Sequence, residues 1–442
     1  MARPCTPGAN GGGAADESFL RDTAGVSSDQ GVVVSASTID QINIYDPDNY
    51  VEAPPHAAFE RLRREHPVWR QEMPDGTWYW AVLKHADVVH VSKNPVLFSA
   101  QTGSVVLEDG TPDSLATAAN MLLSMDPPRH TAFRRPMAPQ FKPRVIAGME
   151  PRIRSICRQI MVEAAQKGTV EFVHEVTSKL PSQVIGELMG LPAEDWDQLQ
   201  QWAEMNTSSQ DPDIGGDADS SYRQAGNGLS EMGLYGYQWA MKRRNEEPRE
   251  DLTSLILETE FSGKYMTEAE FATFFVQLVT AGNDTTKSML SGGLAALLDH
   301  PEQLAALRAD HAKIPGAVEE ILRWANPLHY FRRTLTADTE LRGVEMKAGE
   351  KVAMIYTSAN RDEDVFENPH AFDITRDPNP HLAFGVAEHF CLGVHLARLE
   401  GRVFIEEFLK TFRDYRVIGE PKRIRSNLNN AMKEMHMALT LA

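Results

Sequence analysis

The sequence predicts a mainly helical protein with small β-sheets, formed by one large helical domain with a β-rich subregion. From about Pro143 to Arg323 almost every stretch reads as helix, broken by Gly190-Leu191-Pro192 and by a Gly/Asp/Ser-rich segment from Asp211 to Gly228 that reads as a loop. Runs of β-branched and aromatic residues are short and few. The chain has 442 residues, 42% hydrophobic and 24% charged, an ordinary globular composition with enough length to enclose a ligand.

The elements follow in order. Met1 to about Ser37 is rich in Gly, Ala, Ser and Asp and lacks an apolar core of signal-peptide length, so residues 1–40 read as a mobile tail and 41–442 as the folded domain. After Pro54-Pro55, His56 to Glu65 has an amphipathic helical pattern, and Thr77 to Leu83 reads as a strand. Thr267-Glu268-Ala269-Glu270 has the spacing of a capping box, opening a helix that continues to about Asp299 before Pro301 stops it. At about 1.5 Å per residue it is roughly 50 Å long and must cross the body of the protein. Its middle carries Ala281-Gly282-Asn283-Asp284-Thr285-Thr286, polar groups where a core would favour Leu or Val. Strands are expected in Arg332–Thr336, Thr339–Leu341 and Lys351–Tyr356, then an irregular stretch from Asn360 to Phe384. A last helix, Leu392 to about Phe412, places Leu396, Leu399, Val403, Phe404 and Phe408 near one face.

Charge and cysteine usage exclude several classes of function. With 44 basic and 62 acidic residues the net charge is −18, which disfavours non-specific binding to nucleic acid or anionic lipid and leaves room only for a local basic patch facing an acidic protein. Three widely spaced cysteines, Cys5, Cys157 and Cys391, argue against a disulfide framework and for a reducing, cytoplasmic setting. The longest uncharged apolar run, Phe271 to Asn283, falls short of the roughly 20 residues needed to cross a bilayer, so no membrane anchor is expected. No repeat points to a solenoid.

Of the cysteines, Cys391 stands where an irregular loop becomes a helix, where free backbone N–H groups can stabilise a thiolate. A thiolate there can be a soft metal ligand or a nucleophile, although a lone cysteine is more often a buried structural residue. The glycines around it let the backbone approach something flat and bulky, and Phe384 can pack beside it.

The segment Phe384-Gly385-Val386-Ala387-Glu388-His389-Phe390-Cys391-Leu392-Gly393 resembles the Phe-x-x-Gly-x-x-x-Cys-x-Gly pattern of the cytochromes P450, the haem-thiolate monooxygenases. The resemblance runs from about Asp46 to the C-terminus, with one departure: Ala387 stands where the family usually has the first glycine. If that position takes a positive φ, alanine costs on the order of 1 kcal/mol. Further matches lie in the expected order. Glu320 and Arg323 resemble the family's Glu-x-x-Arg, and Asn360-Arg361-Asp362 with Phe366-Glu367-Asn368-Pro369 its downstream segment, where Arg361 is expected to be structural. Ala281 to Thr286 is similar to the family's oxygen-activating helix segment: Gly282 is expected to leave room for a diatomic molecule, Thr285 to hold water or donate to bound oxygen, and Asp284 to relay protons.

What the resemblance implies is a haem b cofactor with the Cys391 thiolate on its iron, flanked by Phe384, Gly393, Ala281 and Gly282. His130, Arg134, Arg333 and His389 sit where propionate partners usually lie, while Arg135 and Arg332 read as solvated-face residues. The substrate pocket is expected to draw on the Phe98–Leu123 and Asp211–Gly228 loops and on Gln277, Leu278, Leu328, His329, Tyr330 and Asn429, with His329 or Asn429 free to bind one polar group. The implied reaction is reductive activation of O2 and insertion of one oxygen into a C–H bond of a small hydrophobic molecule. A terpenoid or alkylaromatic is favoured, with steroid or branched-lipid hydroxylation as the alternative. No flavin or iron–sulfur segment is recognisable, so electrons are expected from a ferredoxin and its reductase, docking on a monomer near Arg398, Arg402 and Arg135. A haem-binding sensor would need the cysteine but not Asp284 and Thr285; a thiol hydrolase would use Cys391 with His389.

Overall fold

A computed structural model describes residues 39–215 and 218–441. The expected tail therefore lies outside the described residues except for Ile39 and Asp40, which open a single 3-10 turn, Ile39–Gln41. From Ile42 onward, helix α1 (His56–Glu65) leads into a hairpin of β1 (Val68–Glu72) and β2 (Trp78–Val82), followed by the two-residue strand β3 (Phe98–Ser99). Helix α2 (Arg129–Met137), helix α3 (Glu150–Lys167), strand β4 (Thr169–Glu171), helix α4 (Lys179–Leu188) and helix α5 (Trp196–Thr207) come next.

Helix α6 (Ala218–Arg243) corrects the sequence reading, because the supposed Asp211–Gly228 loop is mostly helix: one turn at Pro212–Gly215, then the start of α6. Poor intrinsic propensity is overridden by packing from the C-terminal half, where Met232, Trp239 and Ala240 are buried. The expected long helix is α7 (Glu268–Asp299), opened by Thr267: its hydroxyl accepts from Glu270 N while the Glu270 carboxylate accepts from Thr267 N. Phe271, Phe274, Phe275 and Val279 of α7 are fully buried, so this helix is the axis of the helical core.

Helix α8 (Ile314–Ala325) precedes strands β5 (Tyr330–Leu335) and β6 (Lys351–Ile355), and helix α9 (Val394–Thr411) precedes β7 (Phe412–Val417) and β8 (His436–Leu441). The larger sheet has the order β1-β2-β6-β5-β3, with β6 parallel to β2 and Val352 opposite Trp80, and the other pairs antiparallel. A second sheet, β7-β8-β4, joins the C-terminal strands to the middle of the chain. As expected, residues 360–384 carry neither helix nor strand.

That irregular stretch is held by buried charge. Arg323 Nε and Nη2 donate to both Glu320 oxygens at 2.8 and 2.7 Å, and neither side chain is exposed. The remaining Arg323 N–H groups reach the carbonyls of Asn360, Pro369 and Ala371, while Glu320 also accepts from Asp373 N, Arg376 Nε and Asn379 Nδ2. Arg361, buried beside this node, places its guanidinium 3.8 Å from the Trp324 ring centre. Arg332 is likewise buried, contrary to the solvated face expected of it: it donates to Leu107 O and pairs with Asp109 at 2.8 Å, tying β5 to the 105–109 loop. Glu320→Ala leaves Arg323 and Arg376 without their carboxylate, and is expected to cost about 3–5 kcal/mol in urea unfolding; a change below about 1 kcal/mol contradicts the node's role.

Candidate active site

Cys391 lies in a loop that the backbone holds in a tight fold. Its N–H donates to Phe384 O at 2.9 Å, and Phe390 N donates to Ala387 O at 3.0 Å. Both turns need left-handed backbone, with Gly385 at φ 67° and Ala387 at φ 63°. Alanine therefore keeps the conformation that glycine would adopt freely, at a cost of about 1 kcal/mol. Gly393 ends the loop as the N-cap of α9, and its N–H points at the Cys391 sulfur. Burial nonetheless pushes the thiol up from its ordinary value, against that N–H and the guanidiniums of Arg134 and Arg398. The helix start alone does not sustain a thiolate here; a cation bound to the sulfur would.

Beside this loop the structure gathers the four expected cationic groups. The His130 and His389 rings lie 4.4 Å apart, and His130 Nδ1 and His389 Nε2 are buried without a hydrogen-bond partner. Arg333 is buried with no carboxylate in contact, its Nη1 donating only to Arg332 O. Burial, and then Arg134, push His130 down to about 4; burial, and then Arg333, His130 and Arg134, push His389 down to about 3. Asp126 acts on His130 and Arg333 only from a distance, its oxygens held by Ser99 Oγ and Ala100 N, so these donors have no carboxylate in contact and are complementary to carboxylates supplied by a ligand.

On α7, Ala281 is exposed although it sits mid-helix, in a helix whose neighbouring turns are buried. Thr285 Oγ1 donates to Ala281 O at 2.7 Å, the usual back-bond, which leaves the hydroxyl lone pairs free to accept. At Gly282 a Cβ would meet Ile185 of α4 at 3.1 Å, so the missing side chain allows these two helices to pack closely. Asp284 is buried and faces away from solvent, with Lys287 Nζ 3.0 Å from its Oδ1. Burial pushes Asp284 up to about 6, with Lys287 pulling it down and Glu204 adding to the rise.

The expected substrate residues divide. Gln277 Oε1 accepts from Leu122 N at 2.5 Å and Leu278 is partly buried, so this turn of α7 meets the 98–123 loop, which also contains an unforeseen helix at Pro112–Ala118. Tyr330 is buried with its hydroxyl accepting from Leu107 N, and Leu328 forms an isolated bridge with Asn429. His329 and Asn429 are not free: His329 Nδ1 pairs with Thr357 Oγ1 at 2.8 Å under the Tyr50 ring, and the Asn429 amide spans Ser288, Ser208 and Asp284. Of the expected docking cations, Arg398 is held by both Glu319 oxygens and Arg402 by Glu150, whereas Arg135 is exposed. Lys287 and its second partner Glu204 escaped the sequence reading; the available signal was a lysine three residues after Asp284 in an otherwise uncharged stretch.

A loop-borne thiol at a helix start, buried donors awaiting carboxylates, and a helix with a polar break define a haem-thiolate protein. The comparisons agree. Residues 236–424 match the family model described as Cytochrome P450. The chain is 35% identical over 405 residues to a steroid C26-monooxygenase of Rhodococcus jostii, covering 89% of this chain and 83% of that protein. It is 38% identical over 389 residues to a methyl-branched lipid omega-hydroxylase of Mycobacterium tuberculosis, covering 86% and 89%. A Mycobacterium marinum cytochrome P450 solved in complex with pseudoionone superposes with a TM-score of 0.84 at 35% identity, covering 92% of this chain and all of that one. The chain belongs to the cytochrome P450 family and is a haem-thiolate monooxygenase, a class that uses O2 and electrons from a redox partner.

The unpartnered His130 and His389 nitrogens, and Arg333 with no carboxylate in contact, suit the two carboxylates of haem b. Among the described residues no group of three or more His, Cys, Asp or Glu could share a metal ion. No helix among them is long and apolar enough to cross a membrane.

Two outcomes test this geometry. Ala387→Gly removes the left-handed strain and is expected to stabilise the enzyme by up to about 1 kcal/mol in urea unfolding with an unchanged ferrous–CO spectrum; destabilisation would contradict the strain at this turn. Asp284 titrates above its unfolded value of roughly 3.9, so between about 4 and 6 the native state binds more protons and loses stability as pH rises. Relative to the parent, Asp284→Asn is expected to gain stability as pH rises through that window, and a pH-independent difference would contradict a proton held there.

Proposed function

We propose that this enzyme hydroxylates the methyl-branched end of an isoprenoid-like hydrophobic molecule, such as a steroid side chain or a branched lipid. The observation that carries the reading is the pair of relatives named for a steroid C26 position and for the omega position of methyl-branched lipids, at 35% and 38% identity over nearly nine-tenths of this chain. Terminal methyl groups on a branched carbon are common to both. A second, compact isoprenoid class is favoured by the neighbour solved with pseudoionone, and the terpenoid preference drawn from the sequence belongs there. The residues 98–123, 277–282, 328–330 and 428–431 include no lysine or arginine, which suits an apolar molecule better than a carboxylate.

In this reading Cys391 ligates the iron of haem b, and His130, Arg134, Arg333 and His389 hold its propionates, with Phe384 and Gly393 beside the thiolate. Bound haem supplies the reductive activation of O2. The exposed Ala281 surface of α7 would leave room for O2, while Thr285, whose hydroxyl donates a hydrogen bond to Ala281 O, would accept one from a water and fix it. Asp284 is the store from which a proton is drawn. Electrons come from a ferredoxin and its reductase. With Arg398 and Arg402 neutralised, exposed Arg135, Lys142 and Arg144, in a stretch from Arg129 to Gly148 without a single acid, are the cations left to meet an acidic partner.

Cys391→Ala is expected to lose the thiolate-type ferrous–CO spectrum and all hydroxylation, whereas Cys157→Ala, at a buried thiol pushed well up by desolvation, keeps both. Thr285→Ala is expected to go on consuming reduced nicotinamide through the redox partners while releasing more hydrogen peroxide and less product. Titration with a cholestane-type steroid, a methyl-branched fatty alcohol, a monocyclic terpenoid and a straight-chain fatty acid should give the low-to-high-spin shift with the branched ligands. A tight shift with the straight-chain acid alone would overturn the substrate class.

A further inference from the structure

Three charged side chains are buried together between α7 and α5. Lys287, 1% exposed, places its ammonium 3.0 Å from Asp284 Oδ1 and 2.9 Å from Glu204 Oε1. Asn429 Nδ2 approaches the other Asp284 oxygen at 3.4 Å. Glu204 Oε2 lies 3.9 Å from Nδ1 of His174, whose side chain is 46% exposed. Asp211, the next acid along, is occupied by Lys433 at 2.7 Å and by Arg425 N. Two carboxylates thus share one ammonium out of water, a set that carries an unpaired negative charge when both are ionised.

Such an arrangement does not divide its charge evenly. Asp284 is wholly enclosed and faces Lys287 on its own helix and Glu204 on α5. Glu204 faces Lys287, His174 and Asp211 and reaches toward the surface through His174. Burial pushes Glu204 up, but Lys287 and then His174 outweigh it, so Glu204 keeps its charge; Asp284, with the same ammonium and no other cation, is the carboxyl that takes a proton. Two acids in contact whose surroundings push them apart form an acid and its permanently charged neighbour.

We propose that Glu204 and Lys287 are positioning residues that set the protonation of Asp284 by opposite pulls: the Glu204 charge favours a proton on Asp284, and the Lys287 ammonium holds its carboxyl in place and favours its ionised form. Neither touches substrate or haem in this scheme; both act through Asp284. The inference rests on the reading of Asp284 as the proton store.

The experiment uses the haem-loaded enzyme. The carbonyl stretch of protonated Asp284 is followed by infrared difference spectroscopy across pH, assigned by its loss in Asp284→Asn, alongside product formed per electron across the same range. Glu204→Gln keeps shape and leaves the Lys287–Asp284 pair, so the Asp284 midpoint is expected to fall by about one pH unit or more, with the alkaline limb of coupling moving the same way. Lys287→Met is expected to move both upward; should it fail to fold, Lys287→Gln provides the same comparison. Midpoints that stay put in Glu204→Gln overturn the inference. If Asp284→Asn has no effect on turnover while the midpoints move as described, the tuning stands and the reading of Asp284 as proton store fails.

Discussion

The Glu320–Arg323 pair is the contact on which the cysteine loop depends. It sits at the end of α8 with no exposure to solvent, and beyond their mutual bonds the two side chains spend their other donors and acceptors on the irregular segment from Asn360 to Asn379. That segment has no ladder of its own to satisfy its carbonyls and N–H groups, so the buried charges take the place of secondary structure. From there the path to the thiol is short: Asn360 Oδ1 accepts from Leu382 N at 2.7 Å, Leu382 O accepts from Gly385 N, and Phe384 O accepts from Cys391 N. A buried ion pair is weak evidence for stability in general, but here removing one partner also releases the segment that presents the ligand loop.

Within that frame the cysteine loop and its cation cluster present opposite electrostatic problems. The thiol is desolvated with too little positive charge to ionise it freely, and the His130, His389 and Arg333 group is desolvated with no anion in contact. Each is unfavourable alone. A planar group with a metal cation at its centre and carboxylates at its edge relieves both at once, so cofactor binding and folding of this region are coupled. The left-handed strain at Ala387 persists for the same reason: surrounding bonds over-determine the turn.

Much of this was legible in the sequence wherever local chemistry sets the outcome. The α7 start at its capping box, the α1 limits, the irregular 360–384 stretch and the last helix all follow from residues that act on their near neighbours. What failed depended on distant partners. Strand β1, Val68-Trp69-Arg70-Gln71-Glu72, is too polar to read as a strand and exists because β2 pairs with it. The Gly- and Ser-containing start of α6 is helical because its later turns are buried. Arg332 looked solvated because nothing nearby announces Asp109, more than two hundred residues earlier, and the packing of Gly282 on Ile185 cannot be seen from α7 alone. His329 and Asn429 looked available for the same reason.

The arrangement of α7 then follows from helical geometry. Successive residues turn by about 100°, so neighbours in sequence face different surroundings. Ala281 and Thr285, four apart, share one side, where Ala281 is exposed and the Thr285 hydroxyl caps the carbonyl below it. Asp284 and Lys287, three apart, share another, closed off by Glu204 and Asn429. Adjacent residues 284 and 285 therefore face different surroundings, a buried charged cluster on one side and the more open side marked by Ala281 on the other. An acid on the open side would be solvated and held ionised near its ordinary value, whereas the enclosed position lets neighbouring charges decide whether it carries a proton. The polar break that interrupts an otherwise apolar helix thus serves two different surroundings separated by one residue of helical rotation.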